Sequence, residues 1–262
     1  MLKMRDYELE GHLQNLIEGG GNVWAIGDVH GHFATLEELI RNLHLGEGDA
    51  VVMLGDLIDR GPDSARVVNY VRETRGLHSI RGNHEQMMIL GFDESSFFKH
   101  RSMDAVYWCN NGGDATEESY VEFYADDLKA REAASSDVRW MRNLATEIVL
   151  EDWRLVHAGY DQNLDVENQD EAMHMWARRQ FYTSKNPIDP KRTILFGHTP
   201  THKHLHRDDS KAGKVWHSDV RLEDGRPMAV GMDTCLYHEL ELPKVLSAFN
   251  LQTSQVVYQN RV

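Results

Sequence analysis

Val23-Trp24-Ala25-Ile26-Gly27-Asp28-Val29-His30-Gly31 is a short apolar run that stops abruptly at glycine-flanked polar residues. Apolar residues then recur at Leu36, Leu39, Ile40 and Leu43, the i, i+3, i+4, i+7 spacing of an amphipathic helix. Thr35 with Glu38 reads as that helix's capping box. The same grammar returns twice. Ala50-Val51-Val52-Met53-Leu54 ends in Gly55-Asp56 and is followed by Val67, Val68 and Val71 at helical spacing. Leu77-His78-Ser79-Ile80 ends in Arg81-Gly82-Asn83-His84-Glu85, where Met87, Met88 and Ile89 read as the core face of the next helix. Strand, polar loop and helix alternate, which is the signature of an α/β core.

The flanking sequence divides around this core. Residues 1–20 read as an amphipathic helix with Leu9, Leu13, Leu16 and Ile17 on one stripe, interrupted by Gly11 and closed by Gly19-Gly20-Gly21. We therefore expect an N-terminal helical extension over 1–21 and a main domain over 22–262. Within that domain, 92–146 is acidic, lacks β-branched runs and reads as a helical insertion, with Asn110-Asn111-Gly112-Gly113 as a break. Glu147–Leu150 and Trp153–Val156 follow as short strands ending in His157-Ala158-Gly159, and Thr193–Phe196 ends in Gly197-His198-Thr199-Pro200. The last fifty residues are strand-rich and finish in a hairpin of 244–250 and 255–259.

Composition bounds the function. The chain has 262 residues, at the upper end of one domain, with 41% hydrophobic and 27% charged residues, which excludes a disordered polyampholyte. Two cysteines are too few for a disulfide framework and fit a reducing compartment. No run approaches the roughly 20 apolar residues of a membrane span, and no signal core follows the first residues, so a cytoplasmic protein without a membrane partner is expected. Lys and Arg total 28 against 42 Asp and Glu, a formal net charge of −14. A field of that sign repels phosphate backbones, so nucleic acid is not the expected partner.

Five apolar strands thus end in loops that bring Asp28, His30, Asp56, Asn83, His84, His157 and His198. Ligands of α/β sheets bind beyond the carboxyl ends of strands, so these loops should meet. Taken singly, each such residue reads as a helix cap or a satisfied turn. Taken together, carboxylate, amide oxygen and imidazole suit Mn²⁺, Fe or Zn²⁺, and the absence of thiolates argues against a structural zinc site. Asp28 and His30, two apart, can face one ion. Asp56 has two oxygens and can bridge two.

Gly27-Asp28-Val29-His30-Gly31, Gly55-Asp56-Leu57-Ile58-Asp59-Arg60-Gly61 and Gly82-Asn83-His84-Glu85 resemble the three-part signature of the metallophosphoesterases, in their phosphoprotein phosphatase branch. His157-Ala158-Gly159 and Gly197-His198-Thr199-Pro200 look like that superfamily's fourth and fifth metal-binding segments. Arg81 to Met88, Asn111-Gly112-Gly113 and Trp176-Ala177-Arg178 are similar to the bacteriophage lambda type of bacterial serine/threonine phosphatase. The resemblance runs from about residue 22 to the end. It implies a calcineurin-like β-sandwich of two mixed sheets flanked by helices. It also implies Asp28, His30 and bridging Asp56 on one metal ion, and Asp56, Asn83, His157 and His198 on a second. His84 would be the general acid, paired with Asp59, and Arg60 and Arg178 would grip the phosphate. Of the two Arg neighbours at 178 and 179, only the Trp-x-Arg spacing selects Arg178.

The chemistry is self-consistent. Two divalent ions with Arg60 and Arg178 outweigh the charge of Asp28 and Asp56, so an anionic phosphate can enter an acidic protein. A hydroxide bridging the two metals would attack in line, and His84 as imidazolium would protonate the departing alkoxide. Mn²⁺ leads as cofactor, with Fe or Zn²⁺ as alternatives. The expected activity is hydrolysis of phosphomonoesters, foremost phosphoserine and phosphothreonine in proteins, with phosphotyrosine and small phosphoesters behind them. The first rival is a symmetrical diadenosine tetraphosphatase, and the second a non-catalytic, metal-stabilised binding module. His202, His204 and His206 alternate as if along one strand face, which suggests a third metal site, although solvated side chains are the plainer reading. Cys109 beside Trp108 reads as a structural, half-buried thiol.

Overall fold

The computed structural model describes residues 3–94 and 102–262. The part of the expected insertion at 95–101, and residues 1–2 of the expected N-terminal helix, lie outside them. In chain order, helix α1 (Tyr7–Glu18) precedes β1 (Val23–Ile26), α2 (Phe33–Asn42), β2 (Ala50–Met53), α3 (Ser64–Glu73), β3 (Leu77–Ser79) and α4 (Asn83–Gly91). A helical stretch follows: α5 (Met103–Trp108), a wide turn at Cys109–Gly113, α6 (Asp114–Tyr124) and α7 (Asp127–Met141). The second half holds β4 (Glu147–Val149), β5 (Trp153–Val156), α8 (Glu171–Trp176), α9 (Arg179–Tyr182) and β6 (Thr193–Phe196). It ends with β7 (Trp216–His217), β8 (Ala229–Gly231), β9 (Val245–Asn250) and β10 (Val256–Asn260).

The strands form two five-stranded sheets, ordered β10-β9-β1-β2-β3 and β4-β5-β6-β8-β7. Both are mixed. β1, β2 and β3 run parallel, as do β5, β6 and β8, while β9 and β10 in the first sheet and β4 and β7 in the second pair antiparallel. Strand alternation sorts the side chains. Val23, Ala25, Ala50 and Val52 meet Ile148, Leu155, Leu195 and Val230 between the sheets. Trp24, Ile26, Val51 and Met53 face the other way, under α2, α3, α4 and the helical insertion. Val156, Ile194 and Phe196 cover the far face of the second sheet with Tyr160 and Phe181. Apolar residues on both faces explain why these strands are continuous hydrophobic runs. The α/β sandwich of two mixed sheets flanked by helices is the expected fold.

Helix α1 docks on this body. Leu13 is fully buried in the cluster between the sheets, and Glu10 accepts the backbone N–H of Val149 at 2.9 Å. Leu13→Ala is expected to cost about 3 kcal/mol, the usual range for a leucine cavity, read as a lower urea midpoint at unchanged slope. Met87, Met88 and Ile89 are buried in the helical core, as expected. Two expectations fail. Helix α2 starts two residues before Thr35, with His32 at its N-cap, and Thr35 instead accepts the N–H of Val262 at 3.0 Å. His202, His204 and His206 do not share a strand face, because Pro200 opens a helical turn at Thr201–His206. There His202 is buried beside Cys235 rather than solvated, its Nδ1 3.4 Å from the sulfur. Cys109 is half-buried, and burial followed by nearby Glu117, Asp114 and Asp59 pushes its thiol up to about 12, so it stays protonated and inert. Among the described residues no helix is long and apolar enough to cross a membrane.

Candidate active site

The parallel strands deliver their carboxyl ends to one edge of the sandwich. Asp28 and His30 follow β1, Asp56 and Asp59 follow β2, and Asn83 and His84 open α4 directly after β3. His157 and His198 arrive from the other sheet, after β5 and β6. All eight are buried. The loops are tight enough to force His30, Asp56, Asp59, Arg60 and His198 to positive φ of 44° to 73°. Each such residue costs about 1–2 kcal/mol, a strain that clusters at functional sites. Glycine is required where these loops touch: a Cβ on Gly197 would lie 2.1 Å from Asp28 Oδ1, and one on Gly82 2.3 Å from Asp56 Oδ1.

Two imidazoles are locked in the same tautomer. His30 Nδ1 donates to the Ile58 carbonyl at 2.9 Å and His157 Nδ1 to the Leu54 carbonyl at 2.7 Å, which turns both Nε2 lone pairs inward. His157 Nε2 then faces Asn83 Oδ1 at 2.8 Å, His198 Nδ1 at 3.2 Å and Asp56 Oδ1 at 3.3 Å. On the other side of Asp56, His30 Nε2 lies 3.7 Å from Oδ2 and His84 Nε2 3.9 Å. Asp56 therefore belongs to both donor triads, one with His30 and His84, the other with His157 and His198. Asp28 is in neither triad here; both its oxygens accept the His198 backbone N–H, at 3.1 and 2.9 Å.

Electrostatics matches this geometry. Burial, then Arg60 and His84, holds His30 well below the usual imidazole range, and burial, then His157 and Arg178, does the same to His198. Neutral imidazole is the form that ligates. Burial, then the Asp233 and Asp56 carboxylates, pushes Asp28 well above the usual carboxylate range. Burial likewise raises Asp233 to about 6. Lone pairs facing lone pairs, with crowded buried carboxylates around them, call for cations in the middle. The donor set of carboxylate, imidazole and amide oxygen fits divalent metal ions.

Beside this cluster stands a buried imidazole–carboxylate pair. His84 Nδ1 meets Asp59 Oδ2 at 2.6 Å, both buried. Arg60 reaches over it, with guanidinium nitrogens 2.7 Å from His30 Nε2 and 2.9 Å from His84 Nε2, and lies 4.2 Å above the Tyr237 ring. Glu85 accepts the backbone N–H groups of Asp56, Leu57 and Gly82. Burial, then Asp56, raises Glu85 to about 7. Arg178 donates to the His198 carbonyl at 3.2 Å, at the rim of the site.

Asp233 is the residue that reading the sequence missed. It follows β8, the sixth strand to end here, and Met228-Ala229-Val230-Gly231-Met232-Asp233 repeats the grammar of an apolar run ending in aspartate. That signal lay in a stretch read only as strand-rich. Its Oδ1 accepts the Cys235 backbone N–H at 2.9 Å.

Comparison with known proteins agrees with this arrangement. The profile of the family described as "Calcineurin-like phosphoesterase" matches residues 21–228. Serine/threonine-protein phosphatase 1 of Salmonella typhimurium is 28% identical over 191 residues, covering 70% of this chain and 81% of that protein. A symmetrical bis(5'-nucleosyl)-tetraphosphatase of Pectobacterium atrosepticum is 26% identical over 149 residues, 55% of this chain and 46% of that protein. A solved structure provisionally named as a diadenosine tetraphosphatase aligns over 100% of this chain and 98% of its own, at a TM-score of 0.59 and 19% identity, which is a likeness of fold. A profile match over most of the chain, including five of the six strands that end at this cluster, makes the protein a member of the calcineurin-like phosphoesterase family.

Proposed function

We propose that this protein is a dinuclear-metal-dependent phosphomonoesterase, acting foremost on phosphoserine and phosphothreonine in proteins. Asp28, His30 and Asp56 would hold one ion, and Asp56, Asn83, His157 and His198 the other, with Mn²⁺ the expected metal. When bound, such ions supply Lewis acidity toward the phosphoryl oxygens and an activated water. The chain's own residues do the rest. Arg60 and Arg178 exchange their present partners for the substrate's phosphate oxygens, bidentate geometry that guanidinium suits. As the bond from phosphorus to the ester oxygen breaks, His84 gives its Nε2 proton to that oxygen. Asp59 holds Nδ1 and stabilises the imidazolium before the transfer.

One observation carries the reading: the His84–Asp59 pair, 2.6 Å apart, stands beside the all-acceptor cluster. A metal-stabilised binding module would need neither that pair nor Arg60. The second reading, a symmetrical diadenosine tetraphosphatase, is favoured by the relatives of that name. The test is hydrolysis by the Mn²⁺-loaded protein of a phosphopeptide and of diadenosine tetraphosphate side by side, with an EDTA control. Phosphate released from the peptide alone, and abolished by EDTA, is the expected result. ADP from the dinucleotide alone would replace protein phosphatase by nucleotide hydrolase.

A further inference from the structure

The turn that carries Asp59 and Arg60 is gripped from outside the sandwich. The Asp59 N–H donates to Thr116 Oγ1 at 2.9 Å and to Ser64 Oγ at 3.0 Å, and the Arg60 N–H donates to the Gly112 carbonyl at 3.1 Å. The Asp59 carboxylate is gripped as well. Thr116 Oγ1 donates to Oδ1 at 2.7 Å, and Trp108 Nε1 donates across the carboxylate, 3.0 Å from Oδ1 and 3.1 Å from Oδ2. Oδ2 is the oxygen that meets His84 Nδ1. Trp108, Gly112 and Thr116 all belong to the helical insertion.

The local sequence is shaped to make this contact. A Cβ on Gly113 would lie 2.6 Å from the indole of Trp108, so glycine lets the ring lie flat on the backbone and reach Asp59. Gly112, at φ 103°, bends the chain between α5 and α6, and a Cβ there would lie 2.8 Å from the Arg60 nitrogen. The Asn111-Gly112-Gly113 break is thus a fitted surface against the Asp59–Arg60 turn.

We propose that Trp108 and Thr116 are positioning residues for proton delivery to the leaving group, acting through Asp59 on His84. A lone carboxylate can rotate about its last torsion. Donors from two helices fix its plane, so the lone pair of Oδ2 points at His84 Nδ1 and the proton on Nε2 is aimed into the site. The proposal rests on His84 as proton donor and adds that the insertion, rather than the sandwich, aims it. The insertion then works on the chemical step and is more than a cover over the sheet edge.

The test uses the full chain loaded with Mn²⁺ and two esters, phenyl phosphate and 2,4-dinitrophenyl phosphate. The first leaving group needs a proton and the second departs without one. Trp108→Phe keeps a flat apolar ring and removes the N–H; Thr116→Val keeps the shape and removes the hydroxyl. Each is expected to lower kcat on phenyl phosphate by about tenfold, with KM and the dinitrophenyl rate within about twofold of wild type. Thr116→Ser is expected to restore the phenyl phosphate rate. An equal fall on both esters, or no fall on either, would overturn the positioning role. If Trp108→Phe fails to fold, as judged by melting, the Thr116→Val and Thr116→Ser pair decides alone. His84→Asn on the same esters separates the two ideas: if it shows no selectivity between esters, the proton-donor reading itself fails. If only His84→Asn is selective, the role of the insertion fails and the acid survives.

Discussion

His84→Asn is expected to lower kcat on phenyl phosphate by about 10²- to 10⁴-fold, the usual range for a positioned general acid. The loss should shrink steadily as the leaving group improves. Metal content and melting temperature should stay at wild-type values, for a local reason. Besides its ring's place in the triad with His30 and Asp56, His84 braces the cluster through its backbone N–H, which donates to Asp56 Oδ1 at 3.0 Å, and asparagine keeps that group. What asparagine lacks is a titratable nitrogen on the far side of the Asp59 contact. The kcat of wild type and variant against leaving-group acidity checks the prediction. Equal rates on phenyl phosphate would remove His84 from the chemistry.

Asp56→Asn should act on the other half of the site and cost more. Asp56 is the residue common to both donor triads, and its charge is the shared negative charge between the two positions where cations fit. Asparagine is nearly isosteric but neutral. Two divalent ions held on either side of residue 56 would then repel without that screening, a large term in a buried site. The variant is expected to bind fewer than two metal ions per chain by elemental analysis and to lose turnover by at least about 10³-fold. Removing the carboxylate should also relieve Asp28, Glu85 and Asp233, each of which Asp56 pushes toward its protonated form. Against burial, which raises it, His157, His84 and Arg60 hold Asp56 itself below the usual carboxylate range, so its carboxylate is net stabilising, and the Asp56→Asn variant is expected to melt lower than wild type in EDTA and by a wider margin with metal. Two ions per chain retained by the variant would contradict the bridging role.

Much of this site could be read from the chain because the signal is local. A strand buried on both faces must be apolar throughout, so its end shows as the first polar residue after the run. Gly27-Asp28 and Gly55-Asp56 each mark such an end. The strand after Pro227 was too short and too interrupted to stand out, and Asp233 went unread with it. Glu85 was read only as part of a motif. Its place under the Asp56 and Gly82 loops appears when backbone N–H groups from separate segments are seen converging on one carboxylate. The Thr35–Glu38 capping box and the His202–His206 alternation failed for the opposite reason. Both patterns are short enough to arise by chance, and the contacts of Val262 and the Pro200 turn overrode them.

The sequence alone determined the alternation of strand and helix, the sandwich through its family signature, and most of the polar side chains that the strand ends bring together. These follow from periodicity and residue chemistry, which act over a few positions. The tertiary structure decided which of these side chains touch. Asp28 meets the His198 amide across 170 positions of sequence. Trp108 and Thr116, unremarkable in the chain, close on Asp59 from 49 and 57 positions away. Such contacts depend on the packing of an insertion against a strained turn, and hydrogen-bond geometry at that scale leaves no mark in local pattern.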